Sequence, residues 1–274
     1  MEEPNFQKVF TPNDTVVCGM KMKDTTLGNT LGKVPELTLV FWIIKVAATT
    51  LGETGGDAVS MSMNLGYLVS TVIFSAVFLI AVTIQIKAPR FHPIIYWITI
   101  VATTTVGTTL ADFTDRSLGI GYTGGSSLLL TLLLISLVIW HRTFGSISVD
   151  TVNNPKTEAF YWVTIMFSQT LGTALGDWTA DSAGFGYGGS AVIFGAILAV
   201  VAALYFWTKI SRTFLFWTAF ILTRPLGAVV GDFLDKSRDL GGLALSRYTA
   251  SITLLAFMVV CILIFPQRPA KKAH

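Results

Sequence analysis

The chain of 274 residues contains the same pattern of residues four times in tandem. In each copy a tryptophan follows an aromatic residue, a glycine lies ten residues further on, an aspartate five residues after that glycine, and a second glycine nine residues after the aspartate. The four columns are Trp42, Trp97, Trp162 and Trp217; Gly52, Gly107, Gly172 and Gly227; Asp57, Asp112, Asp177 and Asp232; and Gly66, Gly121, Gly186 and Gly241. Repetition at a fixed interval indicates that one structural unit is used four times.

The spacing of the copies divides the chain into two halves. Successive tryptophans are 55, 65 and 55 residues apart, and the ten extra residues lie in the polar connector 141–158. We therefore predict repeats at about 35–88, 89–142, 155–208 and 209–266, joined in the middle by a longer connector.

Each repeat contains two apolar segments, and their length decides the class of protein. Only 13% of the residues are charged and the mean hydropathy is +0.64, whereas about 25% of an ordinary soluble domain is charged. A transmembrane helix needs about 20 mostly apolar residues. The candidate segments are 35–54, 68–86, 93–112, 125–140, 159–177, 190–207, 213–232 and 246–265. The sequence predicts an all-α integral membrane protein whose eight transmembrane helices form four parallel two-helix repeats in a pseudo-symmetric bundle, with a ring of hairpins as the expected arrangement.

The distribution of basic residues predicts the orientation. Eight spans place both termini on one side, which holds thirteen of the nineteen lysines and arginines, whereas the other side holds four. Because cytoplasmic loops are rich in such residues, we expect both termini in the cytoplasm. Residues 1–34 are then a polar cytoplasmic arm, 35–266 a single membrane domain and 267–274 a basic cytoplasmic tail.

The small net charge of +3 excludes a nucleic-acid binder, and the expected partners are the lipid bilayer and a small ion or solute. Homo-oligomer formation stays open. The two cysteines lie far apart and the three histidines lie in connectors or at the terminus, so no cofactor is expected.

The four segments FWIIKVAATTLGETGGD, YWITIVATTTVGTTLAD, YWVTIMFSQTLGTALGD and FWTAFILTRPLGAVVGD resemble a known family. They are similar to bacterial membrane proteins built from four copies of the domain of unknown function 347 repeat, and the resemblance covers about residues 34–266. It implies a protein of the bacterial inner membrane, but it implies no activity.

The glycines of the first column are predicted to pack helices together. A small residue follows each of them by four positions, at Gly56, Ala111, Gly176 and Gly231. Two small residues on one helix face let helix backbones approach closely in lipid. The alternative is that these glycines interrupt the helix at a binding site.

Polar residues inside the apolar segments are the candidates for a transport path. Lys45 and Arg224 are predicted to lie deep in their spans, where an ionisable residue marks a functional site by default. The four aspartates in register, with Glu53, could form a ring of carboxylates that selects cations. The candidate path or substrate site is Lys45, Thr49, Glu53, Asp57, Thr104, Asp112, Gln169, Asp177, Arg224 and Asp232. The alternatives are solvated helix ends, hydroxyls bonded within their own helix, and a structural ion pair between repeats one and four.

From these residues we predict an inner-membrane transporter of a small cation, such as Mn²⁺, with coupling to protons as a further hypothesis. Carboxylates suit hard divalent ions, and the candidate metal ligands are Glu53, Asp57, Asp112, Asp177 and Asp232. Lys45 and Arg224 could instead bind a small anionic solute, and a non-transporting membrane scaffold or sensor is the third possibility. The sequence contains no catalytic motif, so we do not expect an enzyme.

Overall fold

The computed structural model describes residues 32–270, and within them the chain forms eight long α-helices and no β-strand. The helices are α1 (Leu39–Asp57), α2 (Gly66–Lys87), α3 (Pro93–Asp112), α4 (Gly121–Phe144), α5 (Pro155–Asp177), α6 (Gly186–Trp207), α7 (Arg212–Asp235) and α8 (Arg247–Ile264). Each predicted segment corresponds to one helix, and the fourth is longer at both ends than its apolar stretch suggested.

The turns within the repeats explain the second glycine column. Each of the helices α1, α3 and α5 is followed by one π-helical turn, at Ala58–Ser62, Phe113–Ser117 and Trp178–Ser182. The next helix then begins at Gly66, Gly121 or Gly186 with φ between 66° and 73°. Glycine adopts this left-handed conformation without the strain that a side chain would cause. In the fourth repeat Gly241 (φ 82°) instead ends a short 3₁₀ helix, Arg238–Leu240.

The odd-numbered helices form a closed inner ring in which α1 packs on α3, α3 on α5, α5 on α7 and α7 on α1. The even-numbered helices lie outside, each on the first helix of the following repeat: α2 on α3, α4 on α5, α6 on α7 and α8 on α1. The expected ring of hairpins is therefore wrong for the described residues, because the two helices of a repeat make few contacts with each other. The turn after each inner helix instead carries the chain to the neighbouring inner helix, so the outer helix of each repeat packs on the inner helix of the next repeat.

The inner helices bury polar side chains, whereas the outer helices expose apolar ones. The inner helices bury threonines and ionisable residues, whereas large apolar side chains of the outer helices are exposed, as at Val192, Phe206 and Leu263. Within residues 32–270, six helices are long and apolar enough to cross a membrane, namely α2, α3, α4, α6, α7 and α8. The more polar inner helices α1 and α5 are not among these six.

Three chain segments cover the end of the bundle at which the inner helices begin. Residues 32–36 and 267–270 pair through Gly32 N–H to Ala270 O (3.0 Å) and the bridge between Pro35 and Pro269. The connector joins them through Lys33 N–H to Val152 O (2.9 Å). Of the predicted arm and tail, residues 1–31 and 271–274 lie outside the described residues. Both described chain ends therefore lie at the same end of the bundle.

Candidate functional site

The candidate site is the axis of the inner ring, where four layers of side chains are stacked. Every fourth residue along an inner helix faces this axis, so successive layers are about 6 Å apart. The lysine layer is Lys45, Ile100, Ile165 and Phe220; the arginine layer is Thr49, Thr104, Gln169 and Arg224; the glutamate layer is Glu53, Thr108, Thr173 and Ala228; and the aspartate layer is Asp57, Asp112, Asp177 and Asp232. None of these sixteen residues is more than 2% exposed.

The first glycine column makes the arginine layer possible. An added Cβ at Gly52 would lie 2.3 Å from Thr104 Cγ2, and one at Gly227 would lie 2.1 Å from Thr49 Oγ1. The same relation joins Gly107 to Gln169 and Gly172 to Arg224. Each glycine therefore lies at a close contact with the next inner helix and receives a side chain of the arginine layer.

Arg224 crosses the axis and contacts all three other inner helices. Its Nη2 donates to Glu53 Oε2 (2.9 Å) on α1 and Thr108 Oγ1 (2.6 Å) on α3, and it also contacts Thr173 Oγ1 on α5. Thr108 Oγ1 lies 3.2 Å from Glu53 Oε2, which closes a small network. The ion pair between Arg224 and Glu53 joins repeats four and one, and it occupies the centre of the ring.

Several buried polar groups beside this network have no hydrogen-bond partner among the described residues. They are Lys45 Nζ, Thr104 Oγ1, the side-chain amide of Gln169, and Arg224 Nε and Nη1. Lys45 Nζ lies 4.2 Å from the centre of the Phe220 ring. A buried donor without a partner is costly, so these groups are suited to a ligand that accepts hydrogen bonds.

The aspartate layer is bridged by two basic residues from the turns that follow it. Lys236 Nζ lies 2.8 Å from Asp57 Oδ2 and 3.0 Å from Asp232 Oδ1. Arg116 lies 3.0 Å from Asp112 Oδ1 and 3.4 Å from Asp177 Oδ2. The four carboxylates are thus held as two bridged pairs, and they do not form a ring of free acids.

The two bridges give the aspartate end a two-fold pattern. Arg116 and Lys236 each lie four residues after their aspartate in the even-numbered repeats, where the odd-numbered repeats have Met61 and Asp181. Burial alone would lower the pKa of the Lys236 ammonium, but the carboxylates of Asp232 and Asp57 outweigh it and raise that pKa above its usual range. Lys236 therefore stays charged and keeps both carboxylates paired.

Aromatic rings close the opposite end of the axis. Below the lysine layer lie Phe41, Tyr96, Tyr161 and Phe216, all buried. The hydroxyls of Tyr96 and Tyr161 are 2.7 Å apart. Trp97 and Trp162 are only 2% exposed and pack on these rings. The polar part of the axis consequently ends at an aromatic plug, and its charged mouth is the aspartate layer.

The structure brings all ten predicted path residues to the axis but groups the predicted metal ligands differently. Carboxylate oxygens of Glu53, Asp57 and Asp232 lie within 4.8 Å of one another. Asp112 and Asp177 belong to the other bridged pair. Sequence reasoning missed Arg116, Lys236, Thr108 and Thr173. The four-residue spacing from the aspartate column could have pointed to all four.

An apolar exterior around a buried polar axis, built from four equivalent units, defines a repeat-built helical protein of membrane type. The family described as Repeat of Unknown Function (DUF347) matches residues 40–91, 95–145, 160–211 and 215–267, and the chain belongs to this family. No curated protein and no solved structure matches the chain.

Proposed function

We propose that the protein is a multi-pass transporter of the bacterial inner membrane, with all eight helices spanning the bilayer and both termini in the cytoplasm. The exposed apolar surface of the outer helices supports insertion. Helices α1 and α5 are more polar, but each packs on two inner helices and at least one outer helix. Their polar residues would therefore face protein, which is where a membrane protein places such groups.

The proposed solute is a small anion, such as a monocarboxylate, bound between the lysine and glutamate layers. The observation that carries this proposal is the set of buried groups without a partner, of which Lys45 Nζ and Arg224 Nε and Nη1 are donors on basic side chains. These layers contain two basic side chains and one acidic side chain, Glu53. Carboxylate oxygens accept strong hydrogen bonds from guanidinium and ammonium donors, and the negative charge would complement the two basic side chains.

The geometry also supports a route for the solute. The aromatic plug closes one end of the axis, so the solute would enter through the aspartate layer. The bridges of Lys236 and Arg116 would have to open for this entry. Release on the opposite side would then need separation of Phe41, Tyr96, Tyr161 and Phe216, as in alternating access around a central site.

Uptake of radiolabelled acetate and of Mn²⁺ into liposomes containing the purified protein tests the proposal. We expect acetate uptake above that of empty liposomes, which Lys45→Met abolishes. Thr104→Val should weaken apparent affinity by about 10-fold or more, because it removes one hydrogen bond to a charged solute. Thr105→Val is the matched control, since the Thr105 hydroxyl donates to Val101 O (2.8 Å) in its own helix.

A cation is the second candidate because Glu53, Asp57 and Asp232 can bring three carboxylate oxygens together. Such an ion would have to displace Lys236 from Asp57 and Asp232. Mn²⁺ uptake that Asp57→Asn weakens, without acetate uptake, would favour this candidate. Absence of both fluxes in folded protein would overturn transport of either probe and leave the scaffold or sensor.

A further inference from the structure

An apolar groove lies outside the axis, between α1, α6 and α7 at the aromatic end of the bundle. The groove has a volume of about 440 Å³, and its walls include Trp42, Phe216, Leu198 and Val201. Of the described residues that line it, Arg212 alone carries a charge, and Arg212 is exposed. The groove therefore offers an apolar channel with one cationic group.

The fold is pseudo-symmetric, and at the equivalent position in another repeat a side chain of the protein fills the space that is open in this groove. Between α4, α5 and α7, the corresponding space holds the fully buried ring of Trp140. That ring lies 6.3 Å from Tyr161 and 5.7 Å from Trp217, measured between centroids. By their distances from the glycine column, Tyr161 and Trp217 correspond to Phe216 and Trp42 of the groove. An indole thus packs on the equivalents of both aromatic walls.

In the groove itself the residue equivalent to Trp140 is turned outward. Trp140 and Tyr205 both lie 33 residues after the first glycine of their repeat. Tyr205 is 48% exposed, and the Arg212 guanidinium lies 4.3 Å from the centre of its ring. Arg212 also donates to the carbonyl of Tyr205. The tyrosine is held beside the cation, and the space against Trp42 and Phe216 is left open.

We propose that an acyl chain of an anionic phospholipid occupies this groove, with its phosphate at Arg212. A flexible hydrocarbon chain fits the apolar walls, and the phosphate complements the single cation at this site. Phe206 and Trp207, which precede Arg212, are 77% and 84% exposed. Such aromatic residues lie at the headgroup level of membranes, so the chain would point inward along the groove. The inference rests on the proposed membrane insertion, and it does not depend on which solute the axis binds.

The groove also borders the helix that carries the central arginine. Thr223, next to Arg224 in α7, is one of its lining residues. Thr49 Oγ1 contacts Thr223 O at 3.2 Å, which ties α1 to α7 at this depth. A bound acyl chain would therefore support the helix that carries the central arginine, and we expect the lipid to stabilise the folded protein.

Native mass spectrometry of protein equilibrated with equal amounts of phosphatidylglycerol and phosphatidylcholine tests the proposal. We expect one preferentially retained phosphatidylglycerol. Arg212→Gln should weaken its binding about fivefold, the effect of one basic residue near an anionic headgroup. Ala219→Phe, which fills the groove, should abolish it. Arg142→Gln at the end of α4 is the matched control and should retain the lipid.

Thermal unfolding in detergent checks that the variants fold, and Ala202→Phe on the α6 wall serves if Ala219→Phe does not. Equal retention of both lipids, or retention of phosphatidylglycerol by both Arg212→Gln and the groove-filling variant, would overturn the proposal. The experiment measures no flux, and membrane extraction measures insertion separately. Failure of the lipid site is thus distinct from failure of transport.

Discussion

The inner and outer helices of this bundle solve different packing problems. Inner helices meet through glycines whose neighbours leave no room for a Cβ, and they bury ionisable side chains, among them the pair of Arg224 and Glu53. Outer helices present broad apolar faces, and, apart from its neighbours in the helix, no described residue lies within 4 Å of a Cβ added at Gly195 in α6. The comparison teaches that steric and electrostatic constraints are concentrated in the ring, whereas the outer helices need mainly an apolar surface.

The largest effect is expected when a side chain is forced against the backbone of a neighbouring inner helix. At Gly107 an added Cβ would lie 2.9 Å from the backbone carbonyl carbon of Gln169, which cannot move aside as a flexible side chain can. Gly107→Leu should therefore prevent recovery of folded protein in detergent, as measured by size-exclusion chromatography. Gly195→Leu in α6 is the control and should give a normal yield. Equal yields would remove the distinction between ring and outer helices.

The next effect concerns the buried ion pair. Glu53→Gln leaves the Arg224 guanidinium buried without its acidic partner, and removal of one partner from a buried pair costs about 3–5 kcal/mol. The melting temperature should fall clearly, and the double change Glu53→Gln with Arg224→Met should recover part of it. A Glu53→Gln protein as stable as the wild type would show that the ion pair at the centre of the ring does not stabilise the fold.

A smaller effect is expected at the charged mouth, where the bridges are closer to solvent. The side chain of Lys236 is 10% exposed and that of Arg116 is 31% exposed. A hydrogen bond to a charged group contributes about 1.5–3 kcal/mol, and solvent screening reduces that value. Lys236→Gln should therefore destabilise the fold more than Arg116→Gln, as measured by chemical denaturation. The reverse order would mean that burial does not set the strength of these bridges.

The smallest effect is expected on the outer helices. The exposed Thr83 hydroxyl in α2 donates to Leu79 O of its own helix at 2.6 Å. Thr83→Val should change the free energy of unfolding by no more than about 0.5 kcal/mol. Thr108→Val in the inner ring is the matched comparison and should cost more, since its hydroxyl contacts Arg224. Equal effects would show that hydroxyl hydrogen bonds contribute as much to stability in the outer helices as in the inner ring.

The sequence alone determined the units of this protein. Spacings of ten and five residues fixed the columns of tryptophan, glycine and aspartate, and steps of four put Lys45, Thr49, Glu53 and Asp57 on one helix face. Such relations are local, because the periodicity of an α-helix decides which residues share a face. The family and the eight helices followed from these patterns.

Only the tertiary structure decided which repeat contacts which. Each outer helix packs on the next repeat. Glu53 pairs with Arg224, and Lys45 lies beside Phe220. Lys236 and Arg116 each bridge aspartates of two different repeats. These contacts join residues up to 179 positions apart. A long side chain can reach several helices, so its partner depends on how the ring closes, which no spacing along one helix encodes.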